Sequence, residues 1–192
     1  MEKLKSALSF GGILSQNDID KVASNFSLKK LKASEHFLPL HKVAKEIAFV
    51  NSGILQVYGT DLNENDVTKY FIKENQFFAS LESYYSAQPT TNAIQAVISC
   101  ELYATPFTTF EKLYTEIPNL YIFLKSITEA TLLNKIKDND FLNFGDSKTK
   151  YIEFVRRYPM LAQKVPQQFI ASYLKITPQS LSRIRKGLLK SS

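Results

Sequence analysis

The sequence predicts an α+β chain in three stages. An N-terminal, antiparallel β-rich domain with flanking helices comes first, then one long helix, then a C-terminal helix-turn-helix domain. Three observations carry this reading. Residues 26–106 alternate short β-branched and aromatic runs with turn clusters, the texture of a sandwich or barrel. From Phe107 onward the apolar period becomes helical. Charge is also divided unevenly: residues 147–192 hold ten Lys and Arg against one acid, Glu153, for a net of +9, while the preceding 146 residues carry −3. A basic C-terminal quarter on a slightly acidic body suits a polyanion-binding module joined to something else.

The remaining composition excludes several classes. At 192 residues and 44% hydrophobic, the chain is one large domain or two small ones with a real core. The single Cys100 excludes an internal disulfide and any cysteine-ligated zinc or iron–sulfur site within one chain. No apolar run approaches the roughly 18–20 residues that span a bilayer, and the N-terminus lacks an apolar signal-peptide core, so a cytoplasmic protein without membrane contact is expected. There is no Gly-rich phosphate loop, His-based metal motif or Ser/His/Asp constellation. The chain reads as a non-enzyme, with no catalytic residues and no metal site.

Taken in order, residues 1–25 look helical. Ser15-x-x-Asp18 resembles a capping box, and Ile19, Val22 and Ala23 fall on one face behind it. Ile47–Val50 and Ile54–Tyr58 flank Asn51-Ser52-Gly53, which reads as a hairpin. Further strands are expected at 67–72, 93–98 and 101–105. Pro118 is a plausible first-turn residue for a helix reaching about residue 142. Along it Ile117, Leu120, Leu124, Ile127, Thr131 and Asn134 recur at alternating steps of 3 and 4, a coiled-coil-like seam. That seam packs either on the chain's own β-domain or on a twin helix. The second alternative assigns Leu120, Leu124, Ile127 and Thr131 to a homodimer interface. Asn143-Phe144-Gly145-Asp146 breaks the helix, placing the domain boundary there: 1–142, with the dimerisation helix over about 118–142, and 143–192. A helix over 147–158 with Tyr151, Ile152, Val155 and Tyr158 on one face follows, stopped by Pro159.

Residues 166–188 carry the chemistry. Gln167–Leu174 is a short helix with Ile170, Ala171 and Leu174 on one face. Lys175-Ile176 turns, Thr177 caps, and Pro178 opens a second helix to about Lys186, with Gly187 where it stops. Leu181, Ile184 and Leu188 mark its inner side; Gln179, Ser182, Arg183 and Lys186 mark the outer one. An outer face of amide, hydroxyl, guanidinium and ammonium without an acid is suited to double-stranded DNA, because Arg pairs bidentately with guanine edges and Gln with adenine. Arg183 and Gln179 are the base readers. Thr177, Ser180, Ser182, Arg185 and Lys186 serve edges or phosphates, and Gln167 and Gln168 anchor the first helix.

In these residues the sequence resembles the Crp/Fnr family of bacterial transcription regulators. Phe49–Tyr58 resembles the family's first β-roll hairpin, and Ile170–Leu174 followed by Thr177–Arg183 resembles its DNA-reading unit. The resemblance implies a double-stranded β-helix roll of the cyclic-nucleotide-binding type, a homodimer, and RNA polymerase as a partner if the protein activates. It also implies departures. The family's Gly-Glu pair and its Arg-Ser/Thr-Ala run correspond to Phe78-Ala79-Ser80 and Thr91-Asn92-Ala93, so Ser80 stands for the ribose-binding Glu and Thr91 for the phosphate-binding Arg. A buried phosphodiester without its cation loses about 3–5 kcal/mol. No cAMP binding and no cofactor are therefore expected, and another small-molecule effector would meet Phe78, Ala79, Ser80, Tyr84, Thr91 and Asn92. Lys175 replaces the family's turn Gly, at a cost of roughly 1–2 kcal/mol if the turn is left-handed. Of the base-reading positions only Arg183 is kept, Pro178 and Gln179 replacing Arg and Glu. The sequence stops at Ser192, before a β-hairpin wing would follow. His36 and His41 read as ordinary loop or strand residues, and Cys100 as a small core residue. The alternatives are an effector-binding sensor with little DNA binding and, against the β-rich texture, an all-helical sigma-like factor.

Overall fold

A computed structural model describes residues 1–189; Lys190 of the basic segment and the terminal Ser192 lie outside it. Helices α1 (Glu2–Leu8) and α2 (Gln16–Ser24) lead into eight strands. Ser15 caps α2 by a reciprocal box: its Oγ accepts from the Asp18 amide, and the Asp18 carboxylate accepts from the Ser15 amide. Strands β1 (Ser27–Leu31), β8 (Cys100–Pro106), β3 (Glu46–Ser52) and β6 (Phe77–Phe78) form one antiparallel sheet in that order. The second sheet runs β2 (His36–Leu38), β7 (Ala93–Ala96), β4 (Leu55–Thr60) and β5 (Asp66–Ile72). Between β6 and β7 lies α3 (Leu81–Ser86).

The expected hairpin around Gly53 is a crossover instead. β3 and β4 belong to different sheets, and the true hairpin is β4–β5, with Val57 opposite Tyr70. Gly53 passes the chain between sheets at φ +106°, so close to β8 that a Cβ would lie 2.5 Å from Cys100 Sγ. Only glycine fits that approach. Cys100 is buried as a small core residue, and burial pushes its thiol up to about 11.

The sheets enclose a core centred on Phe49, Leu55 and Leu102, each fully buried, where such side chains contribute about 1.5–3 kcal/mol apiece. Leu4 and Leu8 of α1, Val22 of α2, and Phe110 of α4 (Phe107–Glu116) close it. Then comes the long α5 (Asn119–Asn143), 25 residues. Its first turns enter the same core through Leu120 and Phe123, both at 0% exposure. Pro118 sits at the helix's N-cap rather than inside its first turn.

After α5, Asp146 caps α6 (Ser147–Arg157) by accepting from the Thr149 amide at 2.8 Å. Tyr151 and Phe154 form its buried face, and Ile152, expected there, is exposed. Pro159 does more than stop α6: it opens a further helix, α7 (Pro159–Lys164), as first-turn proline does well. Helices α8 (Gln167–Tyr173) and α9 (Pro178–Leu189) complete the chain. Gly187 lies within α9, not at its end. A second core gathers Phe141, Leu142, Phe154, Ile170, Leu174 and Leu181, together with Ile54 and Val97 from the roll.

Candidate nucleic-acid interface and sensor cleft

Helices α8 and α9 meet at a turn whose geometry follows from its residues. Lys175 adopts φ +57°, the left-handed conformation expected of a glycine there. The Ile176 amide closes the turn on the Ala171 carbonyl at 3.0 Å, and Ala171 is fully buried where the helices approach. Thr177 Oγ1 accepts from the Ser180 amide at 3.1 Å and donates to Ser180 Oγ at 2.9 Å. Both hydroxyls are thus committed to the cap. Leu181 is fully buried, with Ile184 and Leu188 packed beside it. The opposite face leaves Gln179, Arg183 and Lys186 exposed, with Ser182 and Arg185 half-buried at its flanks. Gln167 and Gln168 are exposed in the first turn of α8. Arg183, Arg185 and Lys186 make no ion pair among the described residues. Glu153 is held by Arg156 and Arg157, whose guanidiniums pull its carboxyl down to about 2. The exposed face of α9 therefore keeps its cations without a carboxylate partner among the described residues.

Of the six residues assigned to an effector pocket, Phe78, Ala79 and Tyr84 border one cleft, while Ser80, Thr91 and Asn92 lie outside it. Phe78 packs edge-on against Phe37 at 4.9 Å inside the roll. Tyr84 stacks on Phe107 at 3.6 Å, and its hydroxyl donates to Glu111. Ala79 packs against the first core. Ser80 precedes α3 without capping it. Thr91 is exposed and Asn92 half-buried in the loop leading into β7, on the other sheet. The Asn92 Oδ1 is buried without a hydrogen-bond partner. His36 Nε2 pairs with the Tyr58 hydroxyl at 2.9 Å, and His41 occupies a turn. Among the described residues no group of three or more His, Cys, Asp or Glu is placed to hold a metal, and no helix is long and apolar enough to cross a membrane.

No family model and no curated protein matches the chain. Solved structures do. FixK2 from Bradyrhizobium japonicum superposes with a TM-score of 0.71 at 17% identity, over 86% of this chain and 85% of that one. The c-di-GMP-responsive global regulator CLP of Xanthomonas campestris matches with 0.71 at 13% identity, over 92% and 93%. A CooA variant from Carboxydothermus hydrogenoformans gives 0.67 at 19%, over 89% and 79%. The fold is that of the Crp/Fnr regulators.

Within this Crp/Fnr fold, the seam along α5 needs correction. Leu120 cannot serve a dimer interface, because it is fully buried in the chain's own roll core. Leu124 and Ile127 pack partly on the same core, while Thr131 and Asn134 are exposed. The apolar side chains that α5 leaves open are Tyr121, Ile122, Leu132, Leu133 and Ile136, at 51–66% exposure.

A cleft of about 1680 Å³ runs between α5 and the roll, reaching from α1 to Leu161 and Tyr173. Phe78, Ala79 and Tyr84 line it, while Ser80 borders a separate hollow of about 200 Å³. At its lower end lies a cluster that sequence reasoning missed. The Tyr158 hydroxyl donates to Asp138 at 2.5 Å, Arg157 Nη1 donates to the same carboxylate at 3.3 Å, and the Tyr173 hydroxyl approaches it at 3.5 Å. Burial raises both tyrosine pKa values, and the adjacent Asp138 adds to the rise. Nothing in the spacing of residues 138, 158 and 173 announces this, since they lie on separate elements that only packing brings together. Helix α8 also docks on β5: the Thr68 amide donates to Ser172 Oγ at 2.9 Å, and the rings of Tyr173 and Phe71 lie 5.4 Å apart.

Proposed function

We propose that the chain is a homodimeric, sequence-specific DNA-binding transcription regulator of the Crp/Fnr type, a non-enzyme that does not respond to cAMP. One observation carries the reading: α9 turns Gln179, Arg183 and Lys186 to solvent with no carboxylate opposing them. In this reading the face enters a major groove, with Arg183 on guanine and Gln179 on adenine. Gln167, Gln168, Arg185 and Lys186 hold phosphates, and Ser182 contacts a base edge or phosphate. Thr177 and Ser180 support the helix through their cap. The exposed Ile122, Leu132, Leu133 and Ile136 supply the face for a second copy, which sets two half-sites about 34–36 Å apart. Ser80 and Thr91 offer neither the carboxylate nor the guanidinium that a cyclic nucleotide needs. The division between a sensor over 1–142 and a DNA-binding domain over 143–192, and a cytoplasmic location, belong to the same proposal.

The test is an in vitro selection from random DNA with the full chain, Arg183→Ala in parallel. An enriched inverted repeat, weakened by about 1–3 kcal/mol at one base position in the variant, supports the reading. Equal, weak and salt-sensitive binding by both proteins overturns it and favours a sensor with little DNA binding.

A further inference from the structure

From Thr128 to Asp140 every residue of α5 is exposed except Asp138. Lys135 reaches the Tyr70 ring from this stretch but stays in solvent, so the one side chain withdrawn from water is a carboxylate. Just beyond it the chain turns through Asn143–Asp146, all exposed, with Gly145 at φ +100°. Such a link does little to fix the angle between α5 and α6. Phe141 and Leu142 bury apolar surface beside it, but apolar contact is non-directional and survives small rotations. Asp138 is different. Its carboxylate accepts from the Tyr158 hydroxyl at 2.5 Å, Arg157 Nη1 at 3.3 Å and the Tyr173 hydroxyl at 3.5 Å, donors from the end of α6 and the end of α8. Arg157 also donates to the Lys137 carbonyl at 3.3 Å and is held from behind by Glu153. Burial and Asp138 keep both phenols above the usual tyrosine range, so they remain donors. Hydrogen bonds weaken steeply with angle, and three donors meet one carboxylate only in a narrow range of orientations.

We propose that Asp138 is a positioning residue: its carboxylate clasps Tyr158, Arg157 and Tyr173 and thereby sets the orientation in which α6–α9 dock on β5. With the clasp closed, Ser172 Oγ lies 2.9 Å from the Thr68 amide, and the Tyr173 ring lies 5.4 Å from that of Phe71. Lys73, from the turn after β5, covers the Tyr158 ring at 4.4 Å, so the roll meets the same residue that Asp138 holds. With Asp138 removed, Arg157 keeps Glu153, while both phenols lose their acceptor. The contacts that remain are mostly apolar and tolerate a range of orientations about Gly145. The clasp stands whether or not α9 reads DNA; on the regulator reading, it decides where α9 points.

The test is amide hydrogen exchange on the full-length chain. β5 is an edge strand and the Thr68 amide donates across to Ser172, so its exchange rate reports the docking itself. The Leu174 amide, held by the Ile170 carbonyl at 2.9 Å within the module, reports the module's own integrity. In Asp138→Ala, exchange at Thr68 should quicken by about tenfold or more, roughly 1.4 kcal/mol, while Leu174 and Leu102 keep their parental rates. Tyr158→Phe deletes one oxygen from the clasp and should give the same pattern with a smaller change. The combined Asp138→Ala/Tyr158→Phe variant should go no further than Asp138→Ala, because both changes break the same bond. Far-UV circular dichroism verifies folding; if Asp138→Ala does not fold, Tyr158→Phe decides alone. Parental exchange at Thr68 in the folded variants, equal acceleration at Leu174, or additive effects in the combined variant each overturn the proposal. If the exchange pattern holds while DNA selection fails, the clasp stands and the regulator reading falls; the reverse pattern separates them the other way.

Discussion

In the roll, two sheets face each other and the buried side chains between them are almost all apolar, with Phe49, Leu55 and Leu102 at the centre. In the helical module, apolar residues from α5, α6, α8 and α9 gather around Tyr173, whose hydroxyl points toward Asp138. The first core draws on elements that precede residue 124 and closes on itself. The second includes Ile54 and Val97 and leans on Phe71, all three from the roll. Small helical modules bury too little surface to be robust alone. Here the deficit is met by borrowing sheet surface, which also settles where α8 and α9 sit.

This contrast can be broken most directly by emptying one core at a time. Phe154→Ala and Phe49→Ala each remove a fully buried ring and should cost about 3–5 kcal/mol. If the cores are thermodynamically joined, calorimetry will show one transition that falls in both variants. Two transitions, only one of which moves in each variant, would mean that the shared residues do not couple the cores. A smaller change addresses the joint itself. Ser172→Ala strips the acceptor from the Thr68 amide, and leaving that donor unsatisfied should cost about 1–3 kcal/mol. Hydrogen exchange at Thr68 should quicken while exchange at Leu55 and Leu102 stays slow; equal acceleration throughout would erase the distinction between joint and core. The smallest effect is expected at Lys175. Lys175→Gly relieves the left-handed strain at the price of a looser unfolded chain and one hydrogen bond to Asn143, for a net gain of about 0.5–1 kcal/mol. A thermal melt in which Lys175→Gly falls below the parent would show that the hydrogen bond outweighs the strain.

Local chemistry was legible in the sequence wherever a signal and its effect lie within a few residues. Ser15 with Asp18, Asp146 with Thr149, and Thr177 with Ser180 are all caps whose partners are three positions away. The inner and outer faces of α9 followed equally well from its period. Readings went astray where the answer lay elsewhere in the chain. Two apolar runs around a Gly look alike whether they pair or change sheets, and at Gly53 the deciding neighbour is Cys100, 47 residues on. The steps of 3 and 4 along α5 identify an apolar face but not what covers it, so Leu120 was legible as buried and illegible as to its partner. The effector assignments divide along the same line: Phe78, Ala79 and Tyr84 border one cleft, while Ser80 and Thr91 adjoin strands of different sheets, and no spacing rule relates them. The Asp138 cluster was out of reach altogether.

One consequence of α5 concerns leverage. Phe123 is gripped at 0% exposure in the roll core, and Phe141 is buried in the second core, with an exposed stretch between them. At about 1.5 Å per residue the two grips stand roughly 27 Å apart on one rigid rod. A pivot of about 5° at Phe123 swings Phe141 by roughly 2 Å, a displacement that close-packed interfaces register as a repacking rather than absorb. By this geometry a short movement of the helix near the roll would arrive enlarged at the second core, where α8 and α9 pack.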